Sequence, residues 1–248
     1  MHRTGTFRSV VLIFAFSVWA TSALAQAPDE SRLSLDLGVG IHVSVNGNVN
    51  SGAIGRLNGQ AAAILPNPYG QVYGTGLHFL VGAGWALNDR SELRGAFTFQ
   101  SADANLVRLG DLGPSSLYGQ YSDYQTLGLD LGYRRYVGPS SPRARLYVEG
   151  TIGIAFIDAI DVELAAPQSN IIVDNTDFYD QTGAFTWGIG GGVLFPITDR
   201  MHFNIQMGLR RTSGLSEVDQ LVGTGLDDIN NDSARLTFPI VVGVRFHF

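Results

Sequence analysis

From residue 33 onward the chain alternates apolar and polar positions. Leu33, Leu35, Leu37, Val39, Ile41, Val43 and Val45 are separated by Ser34, Asp36, Gly38, Gly40, His42 and Ser44. A β-strand sends successive side chains to opposite faces, so this segment has one continuous hydrocarbon face and one small or polar face. The pattern returns at Leu77–Leu87, Leu93–Phe99, Leu127–Tyr133, Leu146–Phe156, Phe185–Phe195, Met201–Leu209 and Leu236–Phe248. About eight strands are predicted, each roughly 10 to 14 residues long; a tilted membrane strand needs about 9 to 11, and soluble strands average nearer 5 or 6.

The connections fall into two classes that alternate. Asn88-Asp89-Arg90, 138–144 and 197–200 are short, whereas 46–76, 102–124, 158–183 and 213–234 are long. A barrel with all its long loops at one end and short turns at the other has the layout of an outer-membrane protein.

Which face points inward follows from charge. The less apolar face carries Asp36, Glu92, Arg94, Asp130, Arg134, Arg145, Glu149, Arg210 and Arg245. A soluble core does not admit so many charges, because burying them unpaired costs too much. Lining a narrow lumen together, these acids and arginines can pair. The glycines at 38, 40, 82, 84, 128, 132, 188, 190 and 192 share that face and leave room for the long side chains opposite. The fold class is therefore all-β: a closed antiparallel transmembrane β-barrel of about eight strands with long external loops.

The first residues read as an export signal. His2, Arg3 and Arg8 precede the apolar run Val10–Trp19, and Ala23-Leu24-Ala25 fits a small-x-small cleavage site, making Gln26 the new N-terminus. The expected division is a cleaved signal peptide, 1–25, and a barrel domain, 26–248. Charged residues are 15% of the chain and there is no Cys, which excludes a disulfide framework, thiolate metal sites and a Cys nucleophile. A net charge of -6 without any basic run argues against nucleic-acid binding.

At its end the chain reads Val242-Gly243-Val244-Arg245-Phe246-His247-Phe248. This alternating strand with a terminal Phe resembles the assembly signal of Gram-negative outer-membrane proteins. The segments Gly191–Arg200 and Trp85–Arg90 are similar to strand corners of the small-barrel superfamily that includes OmpX, OmpW and the OmpA transmembrane domain. The resemblance implies that Phe246 and Phe248 form the assembly signal read by the barrel assembly machinery. It implies outer-membrane residence with lipid and lipopolysaccharide as neighbours; the oligomeric state is open, with a monomer expected, and no appended peptidoglycan-binding domain is expected. It brings no catalytic signature.

Candidate chemistry is sparse. His42, His78, His202 and His247 lie on separate strands without a zinc motif. His42 and Ser44 share a face, a pairing similar to that of outer-membrane lipid A deacylases, but Ile41, Val43 and Val45 occupy the lipid side there. Tyr118, Tyr121 and Tyr124 read as an interfacial aromatic girdle, with sugar stacking as the alternative. The acidic runs Asp227–Asp232 and Asp174–Asp180 lack EF-hand spacing and read as solvated loop tips rather than Ca²⁺ sites. No cofactor, metal or enzymatic activity is expected. The expected function is a scaffold, a surface interaction or a narrow passage for small solutes. The alternatives are a lipid-modifying barrel enzyme and loops that bind a sugar or host ligand, for which the stretch 46–76 promises little order.

Overall fold

The structure is a computed structural model. It describes residues 32–57, 59–138, 143–169, 171–218, 226, 228–230 and 233–248, and it leaves undescribed the side chains at 169, 171 and 173–175. The expected signal peptide lies outside these residues, as do Asp227, Asn231 and Asp232.

Eight long strands form a closed antiparallel barrel: β1 Leu33–Asn46, β2 Gly76–Asn88, β3 Ser91–Ala102, β4 Tyr124–Val137, β5 Arg145–Ile157, β6 Thr182–Pro196, β7 Met201–Thr212 and β8 Arg235–His247. Each strand pairs with its neighbours in sequence, and β1 closes the barrel against β8, with Val39 opposite Val242. Closure leaves no sheet edge in hydrocarbon, where an unpaired backbone group would find no water. No helix among the described residues is long and apolar enough to cross a membrane.

The alternation sorts the side chains as expected. Leu37, Val81, Phe97, Leu129, Ile152, Ile189 and Met207 are exposed on the outside. Asp36, Arg94, Asp130, Glu149 and Arg210 are buried inside. The inward glycines make this possible in a narrow cylinder: a Cβ at Gly84 would strike the Glu92 carboxylate, and one at Gly82 would come 3.2 Å from Arg94 Nη2.

The long connections are more ordered than their composition suggests. Segments of all four build a second, seven-stranded sheet, in the order 216–217, 171–180, 160–166, 115–121, 106–112, 60–64 and 53–57. A hydrophobic core lies against it. Val107, Leu109, Leu117, Val162 and Phe178 from the connections meet Ala102, Tyr124, Ala155, Ile157 and Ala184 from the strand ends at the barrel mouth. The expectation of little order in 46–76 is thus corrected. That stretch contributes a hairpin, a short helix at Tyr69–Val72 and the fully buried Val49 and Tyr73. The aromatic girdle is also corrected for Tyr121 and Tyr124, which are buried in this core; Tyr118 is half-buried in the sheet. Apolar side chains that cannot reach lipid beyond the rim are removed from water by packing on one another.

Candidate functional site: the barrel lumen and its extracellular cap

Period-two alternation delivers the lumen residues, and strand register decides which of them meet. The short-turn end of the barrel holds the densest group. Arg134 on β4 stands directly opposite Glu149 on β5. Its Nε donates to Glu149 Oε2 at 2.7 Å, and its guanidinium lies 3.9 Å above the Tyr147 ring. Arg94 links two carboxylates, donating from Nε to Asp36 at 2.9 Å and from Nη1 to Glu149 at 2.8 Å. Arg245 bridges Glu92 and Ser34, and its Nη1 stands 3.7 Å from Asp36. The Tyr136 hydroxyl donates to Glu92 at 2.9 Å. Every charged side chain in this group is at most 3% exposed, so each pair depends on its partners for what water would otherwise supply.

A second group lies further up. Arg210 donates to Asp130 at 2.5 Å and to Thr186 at 3.1 Å. Between the two groups is a cavity of about 70 Å³, lined by Arg94, Thr98, Asp130, Glu149, Gln206 and Arg210 among others. Its lining mixes these polar and charged groups with apolar side chains, and it is large enough for a few waters.

Eight of the nine sequence-predicted lumen residues thus enter one of two ion-paired groups. The ninth, Arg145, is half-buried at the rim and stacks 3.7 Å over the Tyr136 ring without joining a carboxylate. Of the assembly-signal residues, Phe246 pairs with Leu35 and Met201. Phe248 is 65% exposed, and its N–H donates to the Leu33 carbonyl at 3.0 Å.

Arg235 was absent from the sequence-derived set, although it shares the face of Arg245 on β8. Its Nε donates to Ser44 Oγ at 2.9 Å, and its guanidinium lies 4.3 Å from the Tyr124 ring and 5.1 Å from that of Tyr69. This stack lies at the barrel mouth, beneath the core formed by the long connections. Tyrosine hydroxyls then secure the connections above it: Tyr69 donates to the Ser233 carbonyl, Tyr73 to Ser122, Tyr179 to Val49, and Tyr121 to Asn50 Oδ1. Burial pushes the phenols of Tyr69, Tyr73 and Tyr121 above their ordinary range.

The lipid A deacylase pairing is not assembled. His42 is fully buried in the lumen, and neither ring nitrogen has a hydrogen-bond partner among the described residues. Ser44 serves Arg235. Among the described residues no three His, Asp or Glu side chains gather as a metal site.

Residues 11–246 match the family model described as outer membrane protein beta-barrel domain. The chain belongs to this family. No protein of curated function matches the sequence. Solved structures with a similar fold include Neisserial surface protein A, 12% identical, covering 88% of this chain and 98% of that one with a TM-score of 0.44. Ail, the attachment invasion locus protein of Yersinia pestis, is also 12% identical, covering 87% and 99% with a TM-score of 0.37. The outer membrane protease OmpT from Escherichia coli is 8% identical, covering 90% and 98% with a TM-score of 0.44. A surface protein, an attachment invasion locus protein and a protease thus stand among the similar barrels. Family membership assigns this barrel to the outer membrane.

Proposed function

We propose that this outer-membrane barrel is a non-enzymatic surface-interaction protein. Its barrel is a rigid, closed pedestal, and its four long connections form the working surface. The observation that carries this reading is the buried core joining the seven-stranded sheet to the barrel mouth. Loops held by such a core keep a fixed shape, and a fixed shape lowers the ordering cost of binding.

Two features support it. Ion-paired side chains occupy the lumen at two levels, and Arg235 stacks on Tyr124 at the barrel mouth. Three of the four connections are also acidic, with fourteen Asp and Glu residues against Arg108, whereas 46–76 carries Arg56 and no acid. On the sheet, Glu163 and Asp177 are exposed, as are Leu106 and Ile172. Such a mixed apolar and acidic surface fits a macromolecular partner better than it fits passage of a solute. The chain works as a monomer and enters the membrane through its final strand, β8, read by the barrel assembly machinery.

Photo-crosslinking side chains placed in living cells at Ile172, Leu106 and lipid-facing Leu129 test the reading, together with mass spectrometry of lipid A. Discrete macromolecular adducts at Ile172 and Leu106, none at Leu129, and unchanged lipid A are expected. A lost acyl chain on lipid A, or no adducts at the sheet positions, would contradict it.

A further inference from the structure

The outer surface of the barrel is not uniform. Next to the short-turn end, β4 ends its lipid-facing row as Leu129, Leu131, Tyr133, Arg135 and Val137. Arg135 is exposed and stands opposite Ser91 on β3 and Val148 on β5. It therefore sits where the hydrocarbon belt gives way to headgroups. The Tyr133 hydroxyl donates to Ser91 Oγ at 2.9 Å, and Arg135 lies beside the same hydroxyl. A guanidinium, a phenol and a serine hydroxyl are thus gathered at one point on the lipid-facing surface. Among the described residues, this end of the barrel also carries Arg32, Arg90, Arg143 and Arg200 against Asp89 and Asp199.

The belt above this point has two notches. Leu, Ile, Val and Phe fill most of the outward row, but Gly150 stands opposite Tyr133 on the β5 side. Gly95 stands opposite Leu131 on the β3 side. A Cβ built on either glycine would meet no atom within 4 Å, whereas one at outward-facing Gly191 would come 2.7 Å from the Tyr147 carbonyl. Glycine inside a strand weakens it and often marks a close approach by something else. Here nothing among the described residues makes that approach.

We propose that Arg135, Tyr133 and Ser91 bind the phosphate of one anionic glycerophospholipid of the inner leaflet, with an acyl chain lying over Gly150 and the second over Gly95. Guanidinium pairs well with phosphate, and a hydroxyl beside it adds a directed contact. Short turns face the periplasm in such barrels, so the leaflet at this end is the one made of phospholipid. The choline of a zwitterionic headgroup would place a second cation beside Arg135, so an anionic headgroup is favoured there. An arginine near an anionic membrane surface contributes about 1 kcal/mol, roughly a fivefold preference.

The test is native mass spectrometry of the barrel extracted from outer membranes, titrated with phosphatidylglycerol, phosphatidylcholine or chain-free glycerophosphoglycerol. Arg135→Gln removes the cation, Gly150→Leu fills one notch, and Arg211→Gln at the far rim is the control. Heat-dependent gel mobility verifies that each variant is folded; the open space at Gly150 admits the leucine. The wild type should retain a single phosphatidylglycerol about fivefold better than phosphatidylcholine. Arg135→Gln should abolish that preference, Gly150→Leu should weaken retention of either diacyl lipid, and Arg211→Gln should change nothing. Equal retention of the two lipids, or an unchanged preference in Arg135→Gln, would overturn the proposal. So would glycerophosphoglycerol binding as well as the full lipid, since the notches would then contribute nothing.

Discussion

Arg134 and Glu149 face each other across neighbouring strands, 2.7 Å apart, with side chains 0% and 2% exposed. Their contact lies in the lower lumen, where Glu149 also receives Arg94. The barrel's interior is thus held by charge where a soluble barrel would use hydrocarbon. Removing one member of such a set leaves its partners buried and unpaired.

Glu149→Ala should therefore destabilise the barrel by about 3 to 5 kcal/mol, the cost expected when one partner of a buried pair is lost. Urea titration of the reconstituted protein, read by heat-dependent gel mobility, measures it. Arg145→Ala, which removes a rim residue outside the ion pairs, should shift the midpoint far less. Equal shifts would deny the distinction between the two.

On the outside, Leu129→Arg places a charge at mid-strand in hydrocarbon and should cost about 2 to 4 kcal/mol in the same titration. Leu129 is 54% exposed, so no packing clash contributes. An unchanged midpoint would mean that the apolar face does not meet lipid.

The extracellular core makes a prediction for proteolysis. Trypsin needs Lys or Arg, and in the long connections it finds only Arg56 and Arg108, both inside strands of the seven-stranded sheet. Intact cells treated with trypsin should leave the wild type uncut. Leu117→Asp puts a charge at a position only 2% exposed in that core and should open cleavage at Arg108, while the barrel keeps its heat-dependent mobility. A Leu117→Asp protein as resistant as the wild type would deny that the core orders the sheet.

How far the sequence reveals these features depends on periodicity. The eight barrel strands and eight paired lumen charges follow from strict alternation, which a membrane strand must keep along its whole length. The extracellular sheet is soluble in character and does not keep it. Register shifts fall between Arg108 and Gly110, between Ile160 and Asp161, and between Val162 and Leu164. Each adds an unpaired residue and turns the apolar positions out of phase. Gly110, at φ 149°, packs against the Ala63 carbonyl, a conformation and a closeness that suit glycine. Val107, Leu109 and Leu112 therefore do not read as one face, although all three are buried. Arg235 follows the alternation rule; its tyrosine partners come from distant connections that no local pattern links to it.

Alkaline pH should loosen the cap before the barrel. Tyr69, Tyr73 and Tyr121 hold their protons more tightly when folded, because burial disfavours the phenolate. In the unfolded chain an ordinary tyrosine ionises near pH 10. Their contribution to stability is complete below that pH and declines as pH rises beyond it, towards the higher folded values. Trypsin sensitivity at Arg56 and Arg108 should rise above about pH 10 while heat-dependent mobility persists. Tyr121→Phe removes one of these groups and should move the onset upward in pH. A flat profile to pH 11 and beyond would contradict this.

The central claim is a barrel closed at its lower lumen by ion pairs and at its mouth by Arg235 and the tyrosines. Planar-bilayer recording of the wild-type protein tests it most directly. A reconstituted barrel, shown to be folded by its mobility, should give no discrete conductance steps in symmetrical salt across the range of voltages that the bilayer tolerates. Stable, stepwise currents from the wild type would contradict the account, because they would require a continuous water path through residues that the structure places in contact.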